Sequence, residues 1–443
     1  MRKVVLAILF VIASATICQS QHFNQQRLDS LFDMIENNDR GMGNISLFKD
    51  GKEIYRRSYG YANLETKAKN NAGTRFRIGS ISKTFTAVII MKLIENKQLS
   101  LDTKLSTFYP QLESADKITI RQLLQHRSGI FNLTNAEDYA SGWHKNTFSK
   151  KDLLDKIASR KNIFEADTKV SYSNSNYILL SFIAEDIAKK DFSTLLNEYI
   201  ITPIGLTNTF LGKKIDTNKN EAVSYNKLKA KNWVLEVETD MSIPLGAGAI
   251  VSTPHDLNTF FYALMNGKLL TEASVQQMKT FRDNVGLGLF PVAFFNRQGV
   301  GHSGGIDGFI SFAAYDPAEK VNIAITSNAV QFSFDSIITG VLSIYFNQYY
   351  KLPVLTKALE PSIEELNQYI GTYASSNFPL KITISLKENT LMAQATGQSS
   401  FPLECYEKDK FKFDAAGLKL LFNPSENKMT LQQGGREFVL TKE

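Results

Sequence analysis

The hydrophobic positions predict an N-terminal region of mixed helices and strands. Apolar residues recur at helical spacing in 24–37 and 85–94, and the second segment is apolar on nearly every face, which predicts a buried helix. Strands are predicted at 44–49 and 53–61, on either side of the turn signal Asp50-Gly51. Further patterns predict helices at 119–126, 151–159 and 175–189. Two strands are predicted at 308–315 and 321–327.

The pattern changes towards the C-terminus. Short alternating runs, such as 381–386 with its isoleucines on one face, are separated by turn-forming Asn, Pro and Gly residues. Alternation of this kind is typical of a small all-β domain. The sequence therefore predicts a main domain at 21–346, a linker at 347–360 and a β domain at 361–443.

The first twenty residues predict a secretory signal peptide. Arg2 and Lys3 precede an uncharged, mostly apolar run at 4–17, and we expect cleavage after Ser20. The run is too short to cross a membrane comfortably, so the mature protein is expected to be secreted or periplasmic without a membrane span. A lipid anchor on Cys18 is the alternative.

Composition narrows the function classes. With 43% hydrophobic and 21% charged residues in 443, the chain can bury a sizeable core. Its net charge of +6 is not gathered into a basic run, which argues against nucleic acid as a partner. Once Cys18 is removed, Cys405 is the only cysteine, so the mature chain can form no internal disulfide.

One candidate nucleophile is Ser303, in the G-x-S-x-G pattern of Gly301–Gly305. That pattern marks a nucleophile only where a strand precedes the serine, a helix follows it, and the acid and histidine come later in the chain. The segment after Ser303 alternates like a strand, and no histidine follows, since the five stand at 22, 126, 144, 255 and 302. An α/β-hydrolase site at Ser303 is therefore not expected.

The other candidates are serines in the pattern S-x-x-K, which occurs at Ser46/Lys49, Ser80/Lys83, Ser114/Lys117 and Ser425/Lys428. Only Ser80 stands directly before the buried helix. Residues three apart share a helix face, so Lys83 can reach Ser80. The helix N-terminus and burial both lower a lysine pKa, which favours a general base beside a nucleophile. The alternative is that Ser80 only caps the helix.

Two further motifs could complete the site. Tyr172-Ser-Asn174 stands at a loop-to-helix junction, where a tyrosine could carry a proton and an amide could hold lysine and substrate. His302-Ser-Gly304 is the only His-x-Gly and is expected to open the strand that runs to 315. There the backbone N–H of Gly305 could donate to a developing oxyanion.

These motifs, in this order, resemble the penicillin-recognising serine hydrolases of the class C β-lactamase and D-alanyl-D-alanine carboxypeptidase type. The resemblance covers roughly 25–345 and includes the stretches 76–79, 99–102, 118–129 and 246–248. It implies an α+β fold of the β-lactamase/transpeptidase type, with an antiparallel sheet flanked by helices and an all-helical region. The segment 361–443 resembles the small lipocalin-like antiparallel barrel that some relatives carry.

The resemblance also implies roles for the motif residues. Ser80 would be acylated, Lys83 would activate it, and Tyr172 would relay a proton to the leaving group. Asn174 would steady Lys83 and the acyl group, and the N–H groups of Ser80 and Gly305 would form the oxyanion hole. The remaining expected substrate-binding residues are His302, Ser303 and Gly304. No metal or organic cofactor is implied.

One position departs from the β-lactamase pattern, because His302 stands where class C β-lactamases usually carry lysine. Histidine is charged only part of the time near neutral pH, so an efficient antibiotic-destroying enzyme is not expected. The sequence thus predicts an exported hydrolase acting through an acyl-enzyme on a small-molecule or peptide substrate, either an amide, a peptide or an ester. A slowly acylated or non-catalytic binding protein of the same fold is the alternative, and the oligomeric state stays open.

Overall fold

The computed structural model describes residues 23–229, 232–353, 359, 361–387, 389–397, 400–413 and 416–443. The predicted signal peptide with Cys18, and residues 354–358 and 360 of the predicted linker, lie outside the described residues. The helices are α1 (Gln25–Asn37), α2 (Ser82–Glu95), α3 (Ile120–Leu124), α4 (Glu137–Ser141), α5 (Lys150–Ala158), α6 (Asn174–Ala188), α7 (Phe192–Leu196), α8 (Thr202–Ile204), α9 (Pro254–Met265), α10 (Glu272–Met278), α11 (Phe334–Tyr345) and α12 (Ile363–Asn367).

The strands of the first 345 residues are β1 (Gly41–Lys49), β2 (Lys52–Tyr59), β3 (Tyr61–Asn63), β4 (Ala68–Lys69), β5 (Phe76–Arg77), β6 (Phe210–Leu211), β7 (Tyr225–Lys229), β8 (Asn232–Leu235), β9 (Ile250–Ser252), β10 (Phe290–Phe294), β11 (Arg297–Ile306), β12 (Phe309–Asp316) and β13 (Val321–Val330). Those that follow are β14 (Gly371–Ser375), β15 (Phe378–Lys387), β16 (Thr390–Ala395), β17 (Phe401–Pro402), β18 (Glu404–Glu407), β19 (Lys410–Phe413), β20 (Leu418–Asn423), β21 (Lys428–Gln433) and β22 (Arg436–Lys442).

The main sheet has six antiparallel strands in the order β10-β11-β12-β13-β1-β2. Successive strand residues point to opposite faces, and β13 shows the result, because Ile323 and Ile325 enter one core while Ala324 enters the other. The first core lies under α1 and α11. The second contains residues of α2, α6 and α9, so the sheet lies between two layers of helices.

Helix α2 is central to the second core. Eleven of its fourteen residues are buried, as the apolar run at 85–94 predicts. The ring of Phe85 stacks on Phe260 of α9 at a centroid distance of 3.7 Å, which joins α2 to the helix that covers the sheet. Helix α6 packs beside α2 and is also buried on most sides. These contacts hold the start of α2 in a fixed place relative to the sheet.

The C-terminal strands form a nine-stranded antiparallel sheet. Its edge strands, β17 and β18, are separated in the chain by Leu403 alone, so the two edges lie side by side and the sheet curls into a nearly closed barrel. The barrel core contains only residues between 366 and 440, with Tyr369, Tyr373 and Phe422 among them. The predicted small β-barrel is confirmed, while its likeness to lipocalins stays a prediction.

The α+β prediction is confirmed, and each predicted helix and strand named above has a counterpart with bounds shifted by at most a few residues. One expectation was wrong. His302-Ser-Gly304 does not open the strand that runs to 315, because it lies within the preceding strand, β11. The chain turns later, at Asp307-Gly308, where Asp307 adopts a φ of 52°. The two strands form a hairpin in which Ser303 pairs with Phe312.

Candidate active site

Ser80 lies in a single 3-10 turn, Gly79–Ile81, directly before α2. The turn runs against β11, and two glycines allow this close approach. Gly79 has a φ of 49°, and a Cβ there would lie 2.7 Å from the backbone nitrogen of Gly305. A Cβ on Gly304 would lie 2.0 Å from the carbonyl oxygen of Ile78. The fold therefore brings the backbone of Ser80 beside that of Gly305.

The Ser80 side chain does not cap the helix. Helix α2 begins at Ser82, its N-cap residue is Ile81, and no side chain caps it. Instead the Ser80 hydroxyl lies 3.0 Å from the Nζ of Lys83, one turn along the same helix. The capping alternative is therefore wrong, and the lysine reaches the serine as its spacing predicts.

Lys83 is completely buried, and its amine has two partners besides Ser80. Nζ lies 2.7 Å from the Oδ1 of Asn174 and 2.7 Å from the carbonyl oxygen of Ala247. Both of these oxygens can only accept hydrogen bonds. In its neutral form the amine has two N–H groups for these two acceptors and one lone pair that can accept the proton of the Ser80 hydroxyl.

Burial also sets the charge of this amine. Because the amine is removed from water, desolvation lowers the pKa of Lys83 well below its ordinary value of 10.5. The aromatic rings of Tyr172 and Tyr177 lie 4.8 and 5.7 Å from Nζ. The ring contacts would stabilise a charged amine, whereas desolvation favours the uncharged lysine, the form with a free lone pair.

The orientation of the Asn174 amide is fixed by two residues that the motifs did not reveal. Its Nδ2 donates to the Oγ1 of Thr134 at 2.9 Å, so its oxygen must face Lys83. The backbone N–H of Asn174 donates to the Oδ1 of Asn132 at 3.0 Å, and the hydroxyl of Thr134 donates to the same oxygen at 3.1 Å. The loop at 132–135 therefore decides which end of the amide meets the lysine.

Replacing Thr134 by valine tests this arrangement. The variant keeps the side-chain shape but removes the acceptor for Asn174 Nδ2, so the amide loses its fixed orientation. Since one such hydrogen bond contributes about 1 kcal/mol, we expect kcat to fall roughly threefold to tenfold. Steady-state kinetics with one ester substrate measures the change. Thr259→Val, on the exposed side of α9, is the matched control, and equal rates for both variants would contradict the assigned orientation.

Tyr172 stands at the mouth of the site with 38% of its surface exposed. Its side chain lies close to Ser80. Burial raises the pKa of Tyr172 above its ordinary value of 10.0, and the nearby Ser80 hydroxyl offsets part of that rise. The phenol is therefore protonated near neutral pH and able to donate a proton. Ser80, Lys83 and Tyr172 thus lie together, with the Lys83 Nζ within hydrogen-bond distance of Ser80 and 4.8 Å from the centre of the Tyr172 ring.

Strand β11 forms the opposite side of the site. Its pairing with β10 ends at Gly301, and among the described strands none pairs with β11 on that side beyond this residue. Ser303 and Gly305 are exposed, whereas His302 and Gly304 are buried. The free edge beside Ser80 can therefore accept an extended substrate backbone, as the motif predicted. Ser303 has strand on both sides and is no nucleophile elbow.

His302 is 4% exposed and uncharged. Its Nδ1 lies 2.5 Å from the carbonyl oxygen of Ser303, so this nitrogen carries the proton, and Nε2 has no hydrogen-bond partner. Burial and the nearby Lys83 lower the pKa of His302 to about 3. The sequence expected partial charge here, but the structure removes it. The site thus has no fixed positive charge at the place where class C β-lactamases carry lysine.

The sequence predicted most residues of this site but not the groups that hold Lys83 and Asn174 in place. Ser80, Lys83, Tyr172, Asn174 and β11 come together as expected. The Ala247 carbonyl was not foreseen, although the stretch 246–248 was noted, because a backbone acceptor leaves no residue signature. Within the described residues, no group of three or more His, Cys, Asp and Glu side chains is arranged to hold a metal ion.

This fold and this site define a class. A serine whose hydroxyl meets a buried lysine at the start of a central helix, beside the free edge of an antiparallel sheet, is the arrangement of the penicillin-recognising serine hydrolases. The Beta-lactamase family profile matches residues 34–343, and the chain belongs to this family.

Individual proteins agree with this assignment. PbpX of Bacillus subtilis, assigned by name to the penicillin-binding proteins, is 28% identical over 238 residues, which are 54% of this chain and 58% of PbpX. The chain thus spans under two thirds of that relative. The D-amino acid amidase of Ochrobactrum anthropi, solved with D-phenylalanine, matches with a TM-score of 0.64 and 23% identity, over 73% of this chain and 99% of the amidase.

A third match extends into the C-terminal barrel. The octameric penicillin-binding protein homologue of Pyrococcus abyssi has a TM-score of 0.66 and 22% identity, and it covers 94% of this chain and 100% of its own. At these identities the solved structures show the fold alone. Separately, no helix in the described part of the chain has the length and apolarity that a membrane crossing requires.

Proposed function

We propose that this protein is a serine hydrolase that forms an acyl-enzyme on Ser80 and hydrolyses an amide, peptide or ester bond. The observation that carries the proposal is the buried amine of Lys83, which lies 3.0 Å from the Ser80 hydroxyl and whose two other partners can only accept hydrogen bonds. A binding protein has no need of a buried, uncharged lysine aimed at a serine.

Acylation follows from these positions. Lys83 accepts the Ser80 proton as Oγ attacks the substrate carbonyl carbon, so the lysine becomes charged while the carbonyl oxygen becomes an anion. The N–H groups of Ser80 and Gly305 donate to that oxyanion. Tyr172 then gives its proton to the leaving group and recovers one from Lys83. The bond to the leaving group breaks, and an ester between Ser80 and the acyl group remains.

Deacylation repeats the sequence with water. Water attacks the acyl carbon while the Tyr172 and Lys83 pair takes up its proton, and the tetrahedral intermediate then collapses. Ser80 Oγ leaves as the acyl bond breaks and regains its proton, while the carboxylic acid product departs. Asn174 holds Lys83 in place throughout. The free edge of β11 binds the substrate backbone, with Ser303 exposed beside it and His302 and Gly304 behind it.

The substrate class follows from the charge of His302. Because this residue is neutral, His302 offers no ionic partner to a carboxylate beside the scissile bond. We therefore propose that the preferred substrates are amides or esters that lack that carboxylate, and the family's D-amino acid amidase is consistent with such chemistry. The expected export through the N-terminal leader is a separate proposal, tested by the N-terminal mass of the protein isolated from its host.

A substrate panel tests the proposal. We expect turnover of phenylalanine amides and of p-nitrophenyl esters, with D and L forms compared, and little hydrolysis of peptides that end in a free carboxylate next to the scissile bond. No turnover of any amide or ester would overturn the hydrolase proposal. Faster turnover of the carboxylate-bearing peptides would overturn the substrate class alone.

A substitution at His302 gives a sharper prediction. His302→Arg introduces a cation, because arginine stays charged even at a buried position. Hydrogen bonds to charged groups contribute about 1.5–3 kcal/mol, so acylation by benzylpenicillin should become roughly tenfold faster or more. In the wild-type protein the ratio of amide to benzylpenicillin reactivity should show no inflection near pH 6.5, since the pKa of His302 is about 3. His255→Arg, on the exposed part of α9, is the control. An inflection at pH 6.5 that disappears in His302→Arg would contradict the neutral assignment.

A further inference from the structure

His126 lies in the stretch 118–129, to which none of the three motifs gives a role. It follows α3, is 2% exposed, and has a φ of 55°, a left-handed conformation that is rare for histidine. Its carbonyl oxygen accepts the backbone N–H of Ser171 at 2.9 Å, and its Nδ1 accepts the N–H of Ser173 at 3.1 Å. His126 therefore holds the chain on both sides of Tyr172.

The ring of His126 also covers the ring of Tyr172. Their centroids are 4.3 Å apart with an interplanar angle of 31°, and a second aromatic neighbour of the imidazole is Tyr177, whose ring centre is 5.2 Å away. Tyr177 is itself fixed, because its hydroxyl donates to the carbonyl oxygen of Leu124 at 2.8 Å. The imidazole thus lies between an anchored ring and the more exposed ring of Tyr172.

The hydrogen bonds determine which ring nitrogen of His126 carries the proton. Since Nδ1 accepts the Ser173 N–H, the ring proton of the neutral form is on Nε2. Burial lowers the pKa of His126 well below its ordinary value of 6.5. An uncharged ring can lie close to Lys83 without opposing the positive charge that the lysine acquires during acylation.

We propose that His126 is a positioning residue that holds the Tyr172 hydroxyl at Ser80, by the two backbone contacts and the ring contact together. This inference rests on the proposed function, in which Tyr172 protonates the leaving group. Tyr172 itself has 38% of its surface exposed, so its position depends on few contacts. Loss of His126 should therefore impair proton donation to the leaving group and leave the attack by Ser80 largely intact.

Two substitutions at residue 126 separate the contribution of the ring contact with Tyr172 from that of the hydrogen bond to Ser173. His126→Asn suits the left-handed backbone, because asparagine tolerates that conformation, but it removes the ring. His126→Phe keeps a ring and removes the acceptor for Ser173. The readout is acylation by esters of one acid with leaving alcohols of increasing pKa. General acid catalysis contributes about 10²–10⁴-fold, so we expect His126→Asn to lose roughly tenfold to a hundredfold with alkyl esters. With p-nitrophenyl esters, which need no proton, the loss should be under about threefold.

A double variant completes the test. Tyr172→Phe with His126→Asn should acylate no more slowly than Tyr172→Phe alone, because both changes remove the same step. Equal losses across all leaving groups, or additive effects in the double variant, would overturn the proposal and indicate a structural role. His255→Asn, in which an exposed histidine is replaced, should change neither readout.

A measurement on the unaltered protein keeps the inference testable if the variants fold poorly. Nitrogen-15 NMR of the histidine side chains should show one neutral imidazole protonated at Nε2 near neutral pH, and its signals should shift in Tyr172→Phe. An Nδ1-protonated or titrating His126 would overturn the proposal. Failure of every ester to acylate the wild-type protein would instead refute the proposed function on which it rests.

Discussion

Ser80→Ala is expected to lower kcat/KM for every substrate by about 10⁴- to 10⁶-fold, because it removes the atom that attacks the carbonyl carbon. Substrate binding should change little, since the backbone N–H of residue 80 and the edge of β11 stay in place. The measurement is kcat/KM with a p-nitrophenyl ester, together with a binding constant for a non-hydrolysable amide. Circular dichroism and thermal unfolding should match the wild-type protein.

The chain provides a matched control for this prediction. Ser425 stands in the same S-x-x-K pattern, with Lys428, but it lies in an exposed turn of the C-terminal barrel, where its hydroxyl donates to the side chain of Asn423. Ser425→Ala should retain full activity. A Ser80→Ala variant that keeps more than a few per cent of the wild-type rate would refute Ser80 as the nucleophile.

Lys83→Arg is expected to lower kcat by about 10³-fold or more, because general base catalysis at the nucleophile is lost. Arginine stays charged at any accessible pH and has no lone pair for the Ser80 proton. In the wild-type protein the rate should rise with pH through the lowered pKa of Lys83 and be constant above it, since only the uncharged amine acts as the base. Lys428→Arg is the control and should leave the pH–rate profile unchanged.

The same lysine predicts how stability depends on pH. Its pKa is lower in the folded protein than in the unfolded chain, so between these two values the unfolded chain binds more protons. The free energy of unfolding should therefore rise with pH towards 10.5. Comparison with Lys83→Met isolates this contribution, because the methionine variant lacks the titrating group. A difference between the two proteins that stays constant from pH 6 to 10 would contradict a neutral Lys83.

The sequence predicted the regular elements well wherever burial is one-sided or complete. Helix α2 is recognisable because its apolar residues have no interruption, and the strands β1 and β2 because a turn signal separates them. The hairpin of β11 and β12 was misplaced, since His302-Ser-Gly-Gly looks like the start of a strand. The turn signal Asp307-Gly308 comes after this motif. Strand β11, which contains the motif, is rich in glycine, and this weakens its alternating pattern of apolar and polar residues.

The site was predictable where chemistry depends on side chains at fixed spacing, as for Ser80 and Lys83. The positions that orient those side chains were harder to find. Thr134 and Asn132 come from a loop some forty residues before Asn174 in the chain, and no local pattern links them. The pKa of His302 was misjudged, because its burial depends on tertiary packing against Phe290 of β10 and on the nearness of Lys83.

The central claim is that Ser80 is acylated with Lys83 as its base, and the most direct measurement is the mass of the intact protein during turnover. The protein is mixed with an excess of an ester substrate and quenched in acid within milliseconds to seconds, and any adduct is mapped by peptide digestion. We predict one acyl group on Ser80, absent in Ser80→Ala and formed far more slowly in Lys83→Arg. An adduct on Ser303 or another residue, or turnover in which no acyl-enzyme ever forms, would contradict the account.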